Sequence, residues 1–168
     1  MEQEIVGFVK DELRQVSESL LSAVANARHF RHGLFNKAVA AIYYGVYHME
    51  TALLLSRGID AKTHEGTHGL FAFHFVKSGE FARETSKEIA ALMSARQNAD
   101  YGRFVEYAED DVRHFAGLAV GFVGRARELL EQDYPGLCEH SGLDEALGEL
   151  RELAEPGVGK ADHRFPGG

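Results

Sequence analysis

Apolar residues return in steps of three and four along five successive segments of the chain. Residues 4–31 carry Val9, Leu13, Val16, Leu20, Val24 and Ala27, one stripe on a helix. Gly33 is placed to end it. Residues 35–57 carry Phe35, Val39, Ile42, Val46, Met49 and Leu53, and Gly58 stands where a helix C′ glycine belongs. A turn over 59–63 leads to a short aromatic segment, 64–77, with Leu70, Phe71, Phe73 and Phe75, closed by Ser78 and Gly79. Residues 82–99 present Ile89, Leu92, Met93 and then Arg96; Asp100, Tyr101 and Gly102 break the pattern. Residues 109–132 carry Val112, Phe115, Ala119, Phe122, Ala126 and Leu129. Glu109, Asp110 and Asp111 suit the N-terminal end of that dipole, with Arg125 and Arg127 nearer the other end. Beyond Pro135, Ser141 and Asp144 have capping-box spacing before a short acidic helix, 143–154, striped by Leu143, Leu147, Leu150 and Leu153.

All three prolines lie after residue 134, and helices exclude interior proline. Short connections between long helices favour antiparallel neighbours. The expectation is an all-α, up-and-down antiparallel helical bundle over residues 1–134. A short acidic amphipathic extension, 135–155, and a disordered tail, 156–168, follow.

Composition narrows the function classes. The net charge of −8 comes almost wholly from residues 108–168, which hold 6 basic and 13 acidic side chains. A strongly basic nucleic-acid binder is excluded, but a local basic patch on the first two-thirds is not. The single cysteine, Cys138, excludes an internal disulfide and any multi-cysteine metal site. No run reads as a membrane span, and Glu2 and Glu4 stand where a signal peptide would be basic. A cytoplasmic protein with no membrane partner is expected.

Four groups of residues carry candidate chemistry. His64, Glu65 and His68 have H-E-x-x-H spacing, which in a zinc hydrolase supplies two ligands and a general base. A third ligand is missing. His74 points away on a continuous helix, and Phe71 occupies the place of a metzincin's turn glycine. The expectation is therefore loop and surface histidines with no metal or cofactor. Arg28, His29, Arg31 and His32 form a basic cluster with Phe30, fit either for phosphate contact or as cations at a helix C-terminus. Tyr43 and Tyr47 share one helix face while Tyr44 points elsewhere, a pattern of packing with hydroxyls at the rim. Arg96 interrupts an apolar stripe, so a counter-charge must face it. Asp100, four residues on, is available, and a phosphate is the functional alternative.

The ordered set of motifs resembles the HEPN superfamily, the higher-eukaryote and prokaryote nucleotide-binding domains, and its small stand-alone prokaryotic members above all. The resemblance spans about residues 5–132. It is carried by the helix from Ala38 to Gly58, by Thr63, His64, Glu65 and Gly66, by the stretch from His74 to Gly79, and by the stretch from Ala95 to Gly102. It implies a bundle of four to five helices, commonly a homodimer, and often a minimal nucleotidyltransferase partner in a toxin–antitoxin or defence pair. Active members of the family are metal-independent ribonucleases. Their signature is an arginine, a polar residue, and a histidine four to six positions after the arginine, with the site formed across the dimer. Arg96 and Gln97 match; Asp100, Tyr101 and Gly102 stand where the histidine would be, and His114 lies on the next helix. A carboxylate paired to a guanidinium is a poor proton carrier. Arg96 and Asp100 are thus the expected catalytic pair if the chain is active. Tyr101, Gln97, Tyr43 and Tyr47 are expected to bind RNA or a nucleotide. The alternative is a non-catalytic dimeric nucleotide-binding or scaffolding module, and a zinc hydrolase through His64 and His68 is the remote one.

Overall fold

The computed structural model describes residues 2–28, 34–101 and 105–155. Among them lie α1 (Glu2–Arg28), α2 (Leu34–Ser56), α3 (His64–Phe71), α4 (Arg83–Tyr101), α5 (Glu109–Asp133) and α6 (Leu143–Ala154), and no strand. The stripe of α1 is buried at every position from Val9 to Ala27, and that of α6 at Leu143, Leu147 and Leu150. α2 is the central helix, packed by α1, α3, α4 and α5.

Side-chain pairings fix the directions. Glu12 meets His48, and Leu20 lies against Gly45, so α1 and α2 are antiparallel. Asn36 meets Tyr107, and Tyr134 donates to the Ser56 carbonyl, so α5 runs parallel to α2. α6 returns along α5, with Arg127 on Asp144 and Arg113 on the Leu153 carbonyl. This is the up-and-down bundle that the stripes predict.

Local chemistry sets the ends of α2 and α3. Gly58 takes φ 72°, and the Gly58 and Ile59 amides close on the Leu55 and Leu54 carbonyls at 2.8 and 2.9 Å. That is a Schellman termination, with glycine at the left-handed position. Thr63 caps α3, its hydroxyl accepting the Gly66 amide at 3.0 Å. His64 is thereby fixed as the first residue of α3.

Four expectations are corrected. The segment 64–77 is not one helix, because α3 passes into a π-helical turn, Ala72–Val76. The wider turn stacks Phe75 on Phe71 at 5.6 Å between centroids; Phe81 and Phe122 reach Phe71 at 5.1 and 5.4 Å. α4 continues through Asp100 and Tyr101 instead of breaking there. The Ser141 capping box does not form. The backbone turns left-handed at Gly142, Ser141 Oγ accepts the Leu143 amide, and Asp144 is drawn to Arg127 at 2.7 Å. α2 does have the length and composition of a membrane span, with mean hydropathy 1.2 over its best window. It is apolar because four helices cover it, and 61% of that window is buried. The cluster at 29–32, Gly33 and the tail 156–168 lie outside the described residues.

Candidate functional site

One side of α2 gathers the polar chemistry of the bundle. Arg96 leaves the apolar stripe of α4 and lies over the α2 tyrosines, its side chain 20% exposed. Its Nε meets Asp100 Oδ2 at 2.8 Å, one helical turn along, and its Nη2 donates to the Tyr44 hydroxyl at 2.6 Å. The guanidinium carbon sits 5.3 and 5.8 Å from the Tyr44 and Tyr43 ring centroids. A cation at this depth is held by a carboxylate, a phenol oxygen and two π faces together. The expected counter-charge, Asp100, is in place.

The α3 histidines join the same cluster. Thr63 and the glycine at 66 start the helix so that His64 and His68, one turn apart, both face α2. The Tyr43 hydroxyl lies 2.8 Å from His64 Nδ1 and 3.2 Å from His68 Nε2. His68 Nδ1 meets Glu50 Oε2 at 2.5 Å, and Glu50 is fully buried. Tyr47 stacks on His64 with centroids 3.9 Å apart and planes 2° from parallel. The expectation of loop and surface histidines is corrected: both rings are packed parts of an aromatic cluster. Tyr43 is likewise buried, its hydroxyl turned inward rather than at a rim. Tyr44, set aside in the sequence as facing elsewhere, is the tyrosine that binds Arg96.

Nδ1 of His64 and Nε2 of His68, the two histidines of the H-E-x-x-H spacing, converge on a phenol oxygen. Glu65, the would-be base, is exposed, and His74 belongs to the π turn. Among the described residues no three His, Cys, Asp or Glu side chains are grouped to hold a metal ion. Gln97 is on the exposed face of α4, and nothing is described of the Tyr101 side chain.

Burial sets the electrostatics. Desolvation pushes the Glu50 carboxyl above the usual range, against the opposing hydrogen bond from His68. Burial pushes the Tyr43 phenol up as well, with Glu50 adding to the effect. His64 is held below the ordinary imidazole value, by burial first and by the Arg96 charge second. A neutral imidazole therefore stands beside a permanent cation. A cavity of about 80 Å³ opens at Glu50 and His68, walled by Phe71, Ile89 and Met93. A wider cleft, about 680 Å³, is rimmed by Glu4, Asp11, Glu12 and Asp60 and has the wrong charge for a phosphate.

Sequence reasoning missed Glu50 and the joining of His64 to Arg96. The available signal was Glu50 itself, the one carboxylate in the apolar run between Lys37 and Arg57.

The HEPN domain family model matches residues 9–131, the whole of this cluster included. The chain belongs to the HEPN family. A UPF0332 protein of Thermotoga maritima is 33% identical over 96 residues, covering 57% of this chain and 73% of that protein. "Putative toxin MJ0142" of Methanocaldococcus jannaschii is 28% identical over 120 residues, 71% of this chain and 80% of its own length. "Putative toxin MJ0605" of the same organism is 28% identical over 127 residues, 74% and 92% of the two chains. The HEPN match ends before α6, which packs on α1 and α5.

Proposed function

We propose that this HEPN protein is the toxin-type component of a toxin–antitoxin or defence pair. It acts as a homodimer with a minimal nucleotidyltransferase partner and engages RNA or a nucleotide at Arg96. The observation that carries this reading is Arg96 itself. It is a partly exposed guanidinium set on two tyrosine faces beside the neutral His64 imidazole, an arrangement suited to phosphate charge and base stacking. The two M. jannaschii relatives, each named "Putative toxin", support the class. A cytoplasmic setting goes with it. The absence of a histidine just after Arg96 and Gln97 favours a second reading, a dimeric module that binds nucleotide without cleaving it.

Fluorescence anisotropy with a short labelled single-stranded RNA tests the site. Wild type should bind, and Arg96→Ala should weaken binding by about tenfold, near the value of one phosphate contact. Equal affinity in the two proteins would reject Arg96 as the contact. For the partnership, expression of the chain alone should arrest bacterial growth, and co-expression of the nucleotidyltransferase should relieve it. A monomer in light scattering would remove the dimer from the reading.

A further inference from the structure

We propose that His64 is the acid–base residue of the Arg96 site and that Tyr43, His68 and Glu50 form the relay that takes up and returns its proton. The inference rests on the RNA-binding reading and adds a reaction to it.

The four groups come from two helices in register. Tyr43 and Glu50, seven residues apart, lie on one face of α2, and His64 and His68 lie one turn apart on α3. Two hydrogen bonds join His64 Nδ1 to the Tyr43 hydroxyl (2.8 Å) and that hydroxyl to His68 Nε2 (3.2 Å), and an ion-pair contact joins His68 Nδ1 to Glu50 Oε2 (2.5 Å). The outer end is partly exposed, beside Tyr44 and Arg96; the inner end is fully buried. The imidazole absent from the sequence after Arg96 is thus supplied in space by α3.

The proton inventory closes. With Glu50 ionised, the His68 Nδ1–H lies against it as an ion-pair contact and His68 Nε2 accepts the Tyr43 O–H. The Tyr43 oxygen then accepts the His64 Nδ1–H, which leaves a lone pair on His64 Nε2. A proton taken there is matched by two transfers: Nδ1–H to the Tyr43 oxygen, and the Tyr43 O–H proton to His68 Nε2. The added charge ends on His68, against the Glu50 carboxylate. Desolvation, which pushes Glu50 up, favours this direction, because the buried pair becomes neutral overall. Glu50 Oε1, Glu50 Oε2 and His68 Nδ1 make no aligned hydrogen bond among the described residues, so compensation for the carboxylate comes through the 2.5 Å ion-pair contact with His68. At the outer end Arg96 opposes a charge on His64 from α4. His48 opposes it from α2, where the rings of Tyr43, Tyr44 and Tyr47 also lie; His68 opposes and Glu65 favours it from α3. The proton is driven inward.

For an RNA strand the step is a transesterification. His64 Nε2 takes the 2′-hydroxyl proton, the 2′-oxygen bonds to the adjacent phosphorus, and the bond from phosphorus to the 5′-oxygen breaks. The stored proton returns through Tyr43 and His64 to that oxygen, which leaves as a hydroxyl beside a 2′,3′-cyclic phosphate. Arg96 faces the charge that develops on the phosphate.

The test follows a labelled single-stranded RNA, and a DNA of the same sequence, in EDTA with wild type, His64→Ala, Tyr43→Phe and Arg96→Ala. Wild type should cleave the RNA and leave the DNA intact. His64→Ala should lose about a hundredfold in rate, the scale of a missing acid–base group, while its RNA affinity stays within a few-fold of wild type. Tyr43→Phe should lose less and change the pH profile. No cleavage by wild type, or undiminished cleavage by His64→Ala, overturns the inference. Nitrogen NMR of the intact protein is independent of any substrate. At neutral pH His64 should be the Nδ1–H tautomer, and an Nε2–H tautomer would break the relay. If Arg96→Ala binds RNA as well as wild type, the RNA reading has failed, and the tautomer alone judges the relay.

Discussion

Glu50 shows how much one residue's place can decide. A carboxylate that is fully buried in the middle of an apolar helix is expensive unless a cation or a proton reaches it, and His68 is what reaches it. The sequence displays that carboxylate in plain view, but its partner lies on another helix, 18 positions away, and no periodicity links the two. Arg96 was more legible because its counter-ion, Asp100, is on the same helix at the i+4 spacing. His64 gives a pH prediction. Its folded value is depressed, so the unfolded chain takes up that proton more readily. The stability this group contributes is complete above the ordinary imidazole value, about 6.5, and is lost as pH falls through the lower folded value. Urea unfolding over that range should show stability falling with pH, and His64→Gln should flatten the fall. An identical profile for the variant would place the dependence elsewhere.

At the scale of elements, the stripes located all six helices because burial on one face leaves a 3.6-residue period in the sequence. What they could not show is the π turn after Phe71, since an aromatic run fits a continuous helix equally well until Phe75 must stack on Phe71. The Ser141 box failed for a similar reason: the tertiary pull of Arg127 on Asp144 outweighs a local cap. Two glycines, one in α2 and one at its end, can be tested by substitution. Gly58→Ala forces a side chain into the left-handed region and should cost about 1 kcal/mol in urea unfolding; no loss would mean that the turn relaxes freely. Gly45→Val should cost about 2 kcal/mol, because even a Cβ there would stand 2.6 Å from Cδ2 of the fully buried Leu20. A variant as stable as wild type would show that α1 can move off α2. Glu131 accepts the Gly136 and Cys138 amides at 2.8 and 2.7 Å, which hold its carboxyl below the usual range. That support is present above the unfolded carboxyl value and fades as pH falls through the folded one. Glu131→Gln should therefore destabilise the protein at neutral pH and much less in acid. An equal deficit at both would assign the effect to shape instead of charge.

Across the whole molecule, α2 is both the core of the bundle and the platform of the site, so fold and chemistry share one helix. That sharing explains what the sequence hid: Arg96, His64 and Glu50 are brought together only once α3 and α4 have both docked on α2. α6, beyond the HEPN match, buries Leu150 completely against the bundle. Leu150→Ala should cost about 3 kcal/mol, and a loss near zero would make α6 an ornament rather than part of the folded unit. The claim that Arg96 meets a phosphate is tested most directly by the salt dependence of RNA affinity. Kd for a labelled single-stranded RNA would be measured over a series of salt concentrations for wild type and for Arg96→Ala. One lost phosphate contact should lower the log–log slope by about 0.7. Weaker binding with that shallower slope is the predicted result, and parallel lines for the two proteins would contradict it.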